Sequence, residues 1–452
     1  MMDPIFLGLI GLVVLFLLIM IRMPIAYAMI LVGGLGITLI NGPALVLNQL
    51  KTLAYFQFSI YSLTVVPMFV LMGCLASRSG LSAALFRAAN AWLGWLKGGT
   101  AMAVIAACAG FGAVCGSSLA TASTMGRVAL PELKKYKYSG ALATGSVAAG
   151  GVLGILIPPS VVLIIYAVVV EANIVSMFLA SIIPGLMATL LFILTIAAYV
   201  IVVPESGPRG SKIERDEFIA ATKGVFPVLL IFGLVLGGIF FGFYNPTPAA
   251  AIGVFLVLGH GLITSQLNWN GIIESIKETA GTSGMIYLIL LGAELMKIFL
   301  SRVGLPQETA SWLMDAGISP TLVLILVLIG LIILGCLMDS LSMILLVIPF
   351  LWPVLSEING GIYQGAEGSG FGMSTDDLKI WFGILALIVV ELGLITPPVG
   401  LNVFVISSMA KDVPMIETFK GVIPFFCVEI LRVGLILAFP IITLWLPAIS
   451  SG

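Results

Sequence analysis

Long apolar runs alternate with short polar breaks along the whole chain. A helix needs roughly 20 apolar residues to cross the hydrocarbon core of a bilayer. Runs bounded by turn signals occur at 4–22, 24–41, 58–78, 138–170, 172–203, 218–243, 246–265, 281–302, 378–410 and 416–447. The first run has no basic leader and no cleavage site of small residues, so we interpret it as a span rather than a signal peptide. The pattern predicts an all-α membrane protein with about ten transmembrane spans.

Two further apolar stretches, 99–131 and 319–355, are interrupted near their centres by small and polar residues. Each is either one irregular span or a re-entrant hairpin that enters and leaves on the same side. Short basic loops stay in the cytoplasm, and this rule favours hairpins. With hairpins, one face collects the basic loops at Arg22, Lys97, 134–137 and 209–215, and the other face collects Glu171 and the acidic loop 357–377. We therefore predict two re-entrant helical hairpins.

The order of short motifs indicates an internal repeat. Ser77–Leu81 matches Ser301–Leu305 at an offset of 301 − 77 = 224, and Gly112 matches Gly335 at 335 − 112 = 223. Pro131 and Pro353 differ by 222, and Pro158 and Pro397 differ by 239, because the acidic loop lengthens the second copy. Five spans per copy would make the second copy enter from the opposite side, so we predict inverted repeats, which are common in secondary transporters.

Composition agrees with a membrane protein: 60% of the residues are hydrophobic, 9% are charged and the mean hydropathy is +1.21. The net charge of −1 gives no indication of a nucleic-acid partner. All five cysteines lie in apolar segments without metal-site spacing, which favours packing roles. His260 is the one histidine, so a cage of several histidines is excluded.

Two doubled prolines interrupt apolar runs, Pro158-Pro159 and Pro397-Pro398. Proline removes a backbone donor and clashes with the preceding turn, so each helix must break there and free backbone carbonyls. Non-helical backbone at membrane depth survives where it is buried in protein or lines a wet cavity. A single proline is typical of a simple kink, but doubled prolines at equivalent repeat positions indicate a binding site.

The interrupted stretches supply hydroxyl groups, and the second also supplies Asp339, a carboxylate whose cost in a membrane marks a functional site. Hydroxyls and freed carbonyls are hard ligands suited to Na⁺, so we predict two Na⁺ sites, each between one hairpin tip and one proline break. The predicted Na⁺ ligands are Gly116, Ser117, Gly154, Pro158 and Ser160 for the first site, and Asp339, Ser340, Ser342, Thr396 and Pro397 for the second. Close packing of small residues alone would also explain Gly112 and Gly116.

Tip hydroxyls, amide donors and half-helix N-termini favour negative charge, which predicts a small organic anion between the two tips. Its predicted contacts are Ser117, Ser118, Thr121, Thr396 and Asn402. No arginine or lysine lies in either motif, so we expect weak binding. Glu391 has no evident local partner and is a supporting candidate. Two i,i+3 pairs are expected to neutralise themselves: Glu294 with Lys297, and Glu429 with Arg432.

Five motifs resemble the large membrane subunit of tripartite ATP-independent periplasmic (TRAP) transporters over essentially the whole chain: Gly116–Ala120, Pro131–Tyr136, Gly151–Ser160, Met338–Ser342 and Leu394–Asn402. The resemblance implies an elevator-type, Na⁺-coupled importer of the bacterial inner membrane. It also implies a soluble periplasmic binding protein that delivers the anion, and a small four-helix membrane subunit, expected here as a separate chain. The loop around 360–372 departs from the family pattern.

On this basis we expect a mobile transport domain of 99–170 and 319–410, and a scaffold of 1–98, 171–318 and 411–452. Three alternatives remain open. A related divalent-anion/Na⁺ symporter would work without a binding protein, but its Ser-Asn-Thr tip motif does not occur here. An intramembrane hydrolase would need Ser117 or Ser118 with His260 as base, and a channel would need oligomeric symmetry. We expect a transporter and not an enzyme.

Overall fold

The computed structural model describes residues 4–210, 214–360 and 370–450. Parts of the basic segment 209–215 and of the acidic loop 357–377, including Glu367, lie outside the described residues. The described α-helices are α1 Pro4–Met20, α2 Ile25–Asn41, α3 Pro43–Phe58, α4 Val65–Arg78, α5 Leu81–Leu93, α6 Gly99–Cys115, α7 Ser118–Lys135, α8 Gly140–Leu156, α9 Val161–Val169, α10 Ile174–Val202, α11 Arg215–Phe240, α12 Pro246–Ile263, α13 Trp269–Val303, α14 Leu305–Asp315, α15 Pro320–Gly335, α16 Ser340–Ile358, α17 Thr375–Gly393, α18 Leu401–Met409, α19 Met415–Ala438 and α20 Ile441–Ser450.

Seven helices of the described chain are long and apolar enough to cross a membrane, or eight if α8 and α9 form one span bent by 46°. The protein is therefore an all-helical, multi-span membrane protein. Five shorter apolar helices accompany them: α1, α2, α6, α15 and α20. The expected number of about ten spans stays a prediction.

Two predicted spans have different boundaries in the structure. The run 416–447 is divided, because α19 ends at Ala438 and α20 begins at Ile441. Pro440 lacks a backbone donor, and Phe439 before it leaves the helical region at φ −129°. α13 begins at Trp269, well before residue 281, because its first turns are polar and escape a search for apolar runs.

The basic loops meet at one end of the molecule. Gly98 N donates to Gly207 O across 3.1 Å, and Ser139 N donates to Ser206 O across 3.0 Å. The start of α6 and the end of α7 therefore contact the same segment, so these two helices turn back on each other. At the same end, Lys134 donates to Asp412 across 2.8 Å, and this hydrogen bond lowers the pKa of the exposed carboxyl. We refer to this end as the basic face.

The opposite end gathers the loop at Glu171 and the start of α17. Lys379 Nζ lies 3.4 Å from the Glu171 carbonyl oxygen and 3.0 Å from an Asp376 carboxylate oxygen. Lys297 Nζ lies 3.9 Å from the Glu171 carboxylate. The described part of the acidic loop and Glu171 therefore share one end of the molecule, which we call the acidic face.

The interior is formed by the two interrupted stretches and the helices with the proline breaks. α6 and α8 are buried along nearly their whole length and pack against each other. α15 also packs against α17, which is largely buried. α10 and α19 also pack against α8 and α17. A second group, α2, α4, α11, α12 and α13, packs beside this core, with α5 resting on α6 and α14 on α16.

The two predicted i,i+3 ion pairs are confirmed. Arg432 and Glu429 are fully buried and form an ion pair, and Arg432 Nη1 also donates to the Pro184 carbonyl oxygen across 2.8 Å. This arginine joins α19 to α10. Lys297 lies 3.7 Å from Glu294 at the protein surface.

Candidate functional site

The first hairpin tip is built by a glycine and a serine. α6 ends at Gly116, whose φ of +64° lies in the left-handed region that glycine adopts readily. Ser117 follows in an extended conformation and caps α7, with its Oγ accepting from Ala120 N at 3.4 Å. Ser118 is then the first residue of α7, and its side chain is buried.

The second tip repeats this construction with a carboxylate in the capping position. Asp339 caps α16, and its Oδ2 accepts from Ser342 N at 3.1 Å. Asp339 is the repeat equivalent of Ser117, since 339 − 117 = 222, and Ser340 is the equivalent of Ser118. The helix N-terminus stabilises the negative charge of Asp339, which offsets part of the cost of a carboxylate there.

Each tip rests directly on the helix that contains the matching proline break. A Cβ on Gly112 would lie 2.5 Å from the Cα of Gly154, and a Cβ on Gly393 would lie 2.6 Å from the Cα of Gly335. The two contacts are equivalent in the two repeats. Gly112 matches Gly335 at an offset of 223, and Gly154 matches Gly393 at an offset of 239. Both hairpins therefore approach their broken helices along faces without side chains.

The two breaks differ in exposure. At the first, a Cβ on Gly116 would lie 3.1 Å from the Pro159 carbonyl oxygen, and Ser160 caps α9 by accepting from Leu163 N at 3.3 Å. Pro158, Pro159 and Ser160 are buried. At the second, Gly400 N donates to the Cys336 carbonyl oxygen across 3.4 Å, and Pro397 and Pro398 are exposed.

Glu391, which has no partner nearby in the sequence, joins the two tips. Its side chain is fully buried in α17. Ser118 Oγ donates to Glu391 Oε1 across 3.4 Å, and Ser340 Oγ donates to the same oxygen. The two serines occupy equivalent repeat positions, since 340 − 118 = 222. One carboxylate oxygen therefore receives a hydrogen bond from each hairpin.

An open cavity of about 170 Å³ lies against both tips. Its lining includes Ser117, Ser118, Asp339 and Ser340 from the tips, and Cys74, Ser77, Glu278 and Thr282 from α4 and α13. The wall from α4 and α13 was absent from the sequence prediction. Ser77 opens the repeated motif Ser77–Leu81, so the repeat itself was a signal for this position.

The other predicted anion contacts lie outside this lining. Thr121 and Asn402 are fully buried behind the first tip, with Asn402 Nδ2 donating to the Ala148 carbonyl oxygen across 3.4 Å. Thr396 is half-buried in the segment after α17 and donates to the carbonyl oxygen of Leu392, in the last turn of that helix, across 2.6 Å. The structure thus brings Ser117 and Ser118 to the cavity and holds these three residues apart from it.

Three buried oxygens at the tips have no hydrogen-bond partner among the described residues: Thr121 Oγ1, Asn402 Oδ1 and Glu391 Oε2. Buried oxygens are rarely left unpaired, and a bound ion is one way to satisfy them. Thr121 Oγ1 and the Ser117 carbonyl oxygen both face Gly154, where a Cβ would lie 2.5 Å and 2.7 Å from them. This oxygen-rich surrounding fits a hard cation such as Na⁺ at the first tip.

The sequence profile of the family described as "Tripartite ATP-independent periplasmic transporter, DctM component" matches residues 12–442. The chain belongs to this DctM family. Among DctM relatives, the C4-dicarboxylate TRAP transporter large permease protein DctM of Pseudomonas aeruginosa is 32% identical, over 86% of this chain and 85% of the relative. The sialic acid TRAP transporter large permease protein SiaM of Vibrio cholerae is 30% identical, over 95% of this chain and 96% of the relative.

Two further comparisons extend this picture. The isethionate TRAP transporter permease protein DctMQ of Oleidesulfovibrio alaskensis is 29% identical over 92% of this chain and 62% of the relative. In overall fold, the chain is similar to the crystal structure of the Alcanivorax borkumensis YdaH transporter, with a TM-score of 0.61 at 13% identity and 88% coverage of both chains. The DctM relatives are named permeases, and none of these names describes an enzyme.

The hydrolase alternative also lacks its base at the tips. His260 lies near the end of α12, which packs against α4 and α11, and it is not among the residues that line the cavity. The hydroxyl of Ser118 instead donates to Glu391. The hydrolase alternative required His260 as the base for this serine, and the structure does not bring His260 to the cavity that Ser118 lines.

Proposed function

We propose that this chain is the large membrane subunit of a Na⁺-coupled importer for small organic anions, in the bacterial inner membrane. The observation that carries this proposal is the convergence of the two hairpin tips on one cavity. Hydroxyls and helix N-termini line this cavity, and unpaired buried oxygens lie behind the tips; such groups suit an anion beside a hard cation. The anion class is a carboxylate or sulfonate, supported by the relatives named for C4-dicarboxylates, sialic acid and isethionate.

The partners of this importer are a soluble periplasmic binding protein and a small four-helix membrane subunit. The family description names a tripartite, periplasmic system, and two relatives are named large permeases, which supports this assignment. No arginine or lysine lines the cavity, so a bidentate clamp for a carboxylate is absent from its described lining. Binding in the membrane is then weak, and the binding protein supplies the affinity.

The proposed mechanism is alternating access by an elevator built from two inverted repeats. Support comes from the matched tip contacts at Gly154 and Gly393, from the matched caps Ser117 and Asp339, and from the α6–α7 pair that returns to the basic face. Packing also supports a larger transport domain than the residues 99–170 and 319–410 expected from the sequence. α10 and α19 pack against α8 and α17, so we add both helices to the mobile part.

Uptake of radiolabelled succinate, sialic acid and isethionate into proteoliposomes tests this function. The complete system should import one of these anions only with an inward Na⁺ gradient and with its binding protein. Import without the binding protein would indicate a symporter of the related class. Import that ignores the Na⁺ gradient would contradict the coupling.

Asp339 offers a matched pair of variants for the second Na⁺ site. Asp339→Asn removes the charge but keeps a good helix cap, so uptake should need more Na⁺ while the protein stays as stable as the wild type. Asp339→Ala loses both the charge and the helix cap, so its uptake should also need more Na⁺ and its free energy of unfolding should fall by about 1 kcal/mol. The measurements are Na⁺ titrations of uptake and thermal unfolding. If Asp339→Asn showed the same Na⁺ dependence of uptake as the wild type, Asp339 would not be a ligand of the second Na⁺ site.

A further inference from the structure

Glu391 is a buried carboxylate that contacts both hairpin tips, and two independent ion sites would not need such a link. Its Oε1 accepts hydrogen bonds from Ser118 at the start of α7 and from Ser340 at the start of α16. The carboxylate is fully buried, and no lysine, arginine or histidine of the described chain pairs with it. Buried carboxylates are costly in membrane proteins and are retained mainly for function.

The residue is fixed to one hairpin and reaches across to the other. Two residues after Glu391, Gly393 packs directly on Gly335, so this part of α17 is held against the second hairpin. Ser118 belongs to the first hairpin, 273 residues away in sequence. The position equivalent to Glu391 in the first repeat is Val152, since 391 − 239 = 152. The bridge therefore consists of one carboxylate shared by two equivalent serines, and the first repeat has no counterpart.

Each bridging serine is the neighbour of a helix-capping residue assigned to an ion site. Ser118 follows Ser117, and Ser340 follows Asp339. A cation that binds at one cap shifts that cap and the serine after it, which changes the hydrogen bond to Glu391. Because the other serine bonds to the same oxygen, its hydrogen bond at the second tip changes as well. Such a link is an energetic coupling between the two ion sites.

We propose that Glu391 is a positioning residue that couples the two hairpin tips, so that the two Na⁺ ions bind cooperatively. This inference rests on the proposed Na⁺-coupled function. Strong coupling between two required sites gives a steep sigmoidal dependence of uptake on Na⁺, with a Hill coefficient that approaches the number of sites, about 2. Uptake that needs both ions stays sigmoidal without coupling, so removal of the bridge should lower the Hill coefficient while leaving it above 1.

The test compares Na⁺ titrations of uptake in proteoliposomes containing the complete transporter. Glu391→Gln keeps an oxygen that accepts from both serines, so it should retain the sigmoidal curve even if its maximal rate falls. Glu391→Leu removes the acceptor, and the Hill coefficient should fall clearly below the wild-type value, with a higher half-saturating Na⁺ concentration. Glu308→Gln, which removes an exposed carboxylate on α14, is the control and should titrate as the wild type.

Ser118→Ala gives a second, milder variant if Glu391→Leu does not fold. It deletes one arm of the bridge and leaves the Ser117 cap and all the predicted Na⁺ ligands in place, so its Hill coefficient should also fall. A folding defect alone would lower the maximal rate without changing the shape of the curve. A wild-type Hill coefficient in Glu391→Leu or Ser118→Ala would overturn the proposal, and so would a loss of cooperativity in Glu391→Gln. If the wild type itself shows no Na⁺ dependence, the proposed function fails instead.

Discussion

At the scale of single residues, glycine sets how closely each hairpin approaches its broken helix. Gly154 faces Thr121 Oγ1 and the Ser117 carbonyl oxygen, and Gly393 faces the backbone of Gly335. A methyl group at either position would meet atoms that belong to the tip itself. The oxygens of the proposed first Na⁺ site are held together by this approach, so packing and ion binding depend on the same residue.

Gly154→Ala should therefore impair both stability and transport. Its Cβ would lie 2.5 Å from Thr121 Oγ1, and such overpacking costs about 1–3 kcal/mol. Gly330→Ala is the matched control, because nothing lies within 4 Å of the added Cβ. Replacing a helical glycine by alanine raises the free energy of unfolding by about 0.5–1 kcal/mol. Thermal unfolding and uptake are the measurements. If Gly154→Ala unfolds and transports like Gly330→Ala, the close approach is not needed.

The tip residues could be located from the sequence, but their partners could not. The small and polar interruptions and the doubled prolines indicated Gly116, Ser117 and Asp339, because these patterns are local. Glu391 bonds to serines that lie 51 and 273 residues away in the chain. Periodicity and local spacing carry no information about such contacts, so the carboxylate seemed to lack a partner.

At the scale of helices, apolar runs predicted most positions and missed two kinds of boundary. The start of α13 contains Glu274, Lys277 and Glu278, and an amphipathic turn of this kind is invisible to a search for continuous apolar residues. The break at Pro440 could not be singled out from the sequence, because other single prolines in apolar runs, Pro184, Pro227 and Pro424, lie inside continuous helices.

The predicted path of α7 and α16 can be tested by cysteine labelling. In the proposed topology Lys97 and Lys135 lie on the cytoplasmic basic face, and Glu357 lies on the periplasmic side. Single cysteines at Lys97 and Lys135 should react with an impermeant thiol reagent only in inside-out vesicles, and one at Glu357 only in right-side-out vesicles. Reaction of Lys97→Cys and Lys135→Cys from opposite sides would mean that α6 and α7 together cross the membrane.

At the scale of the whole molecule, the cavity lies between two packed groups of helices. One wall comes from the hairpin tips and the other from α4 and α13. If the tips carry the cargo and α4 and α13 stay in place, the two walls separate during each transport cycle. Ala120 lies on the tip wall at the start of α7, whereas Ser77 lies on the opposite wall, near the end of α4.

The most direct measurement of this mechanism is therefore the sidedness of labelling at these two positions, in a transporting background without other cysteines. An impermeant maleimide is applied to inside-out and right-side-out vesicles, with and without Na⁺ and substrate. Ala120→Cys should be labelled from both sides, in proportions that Na⁺ and substrate change, and Ser77→Cys should be labelled from the cytoplasmic side alone. Labelling of Ala120→Cys from one side only under all conditions, or equal switching of both positions, would contradict a mobile domain that carries its cargo past a fixed scaffold.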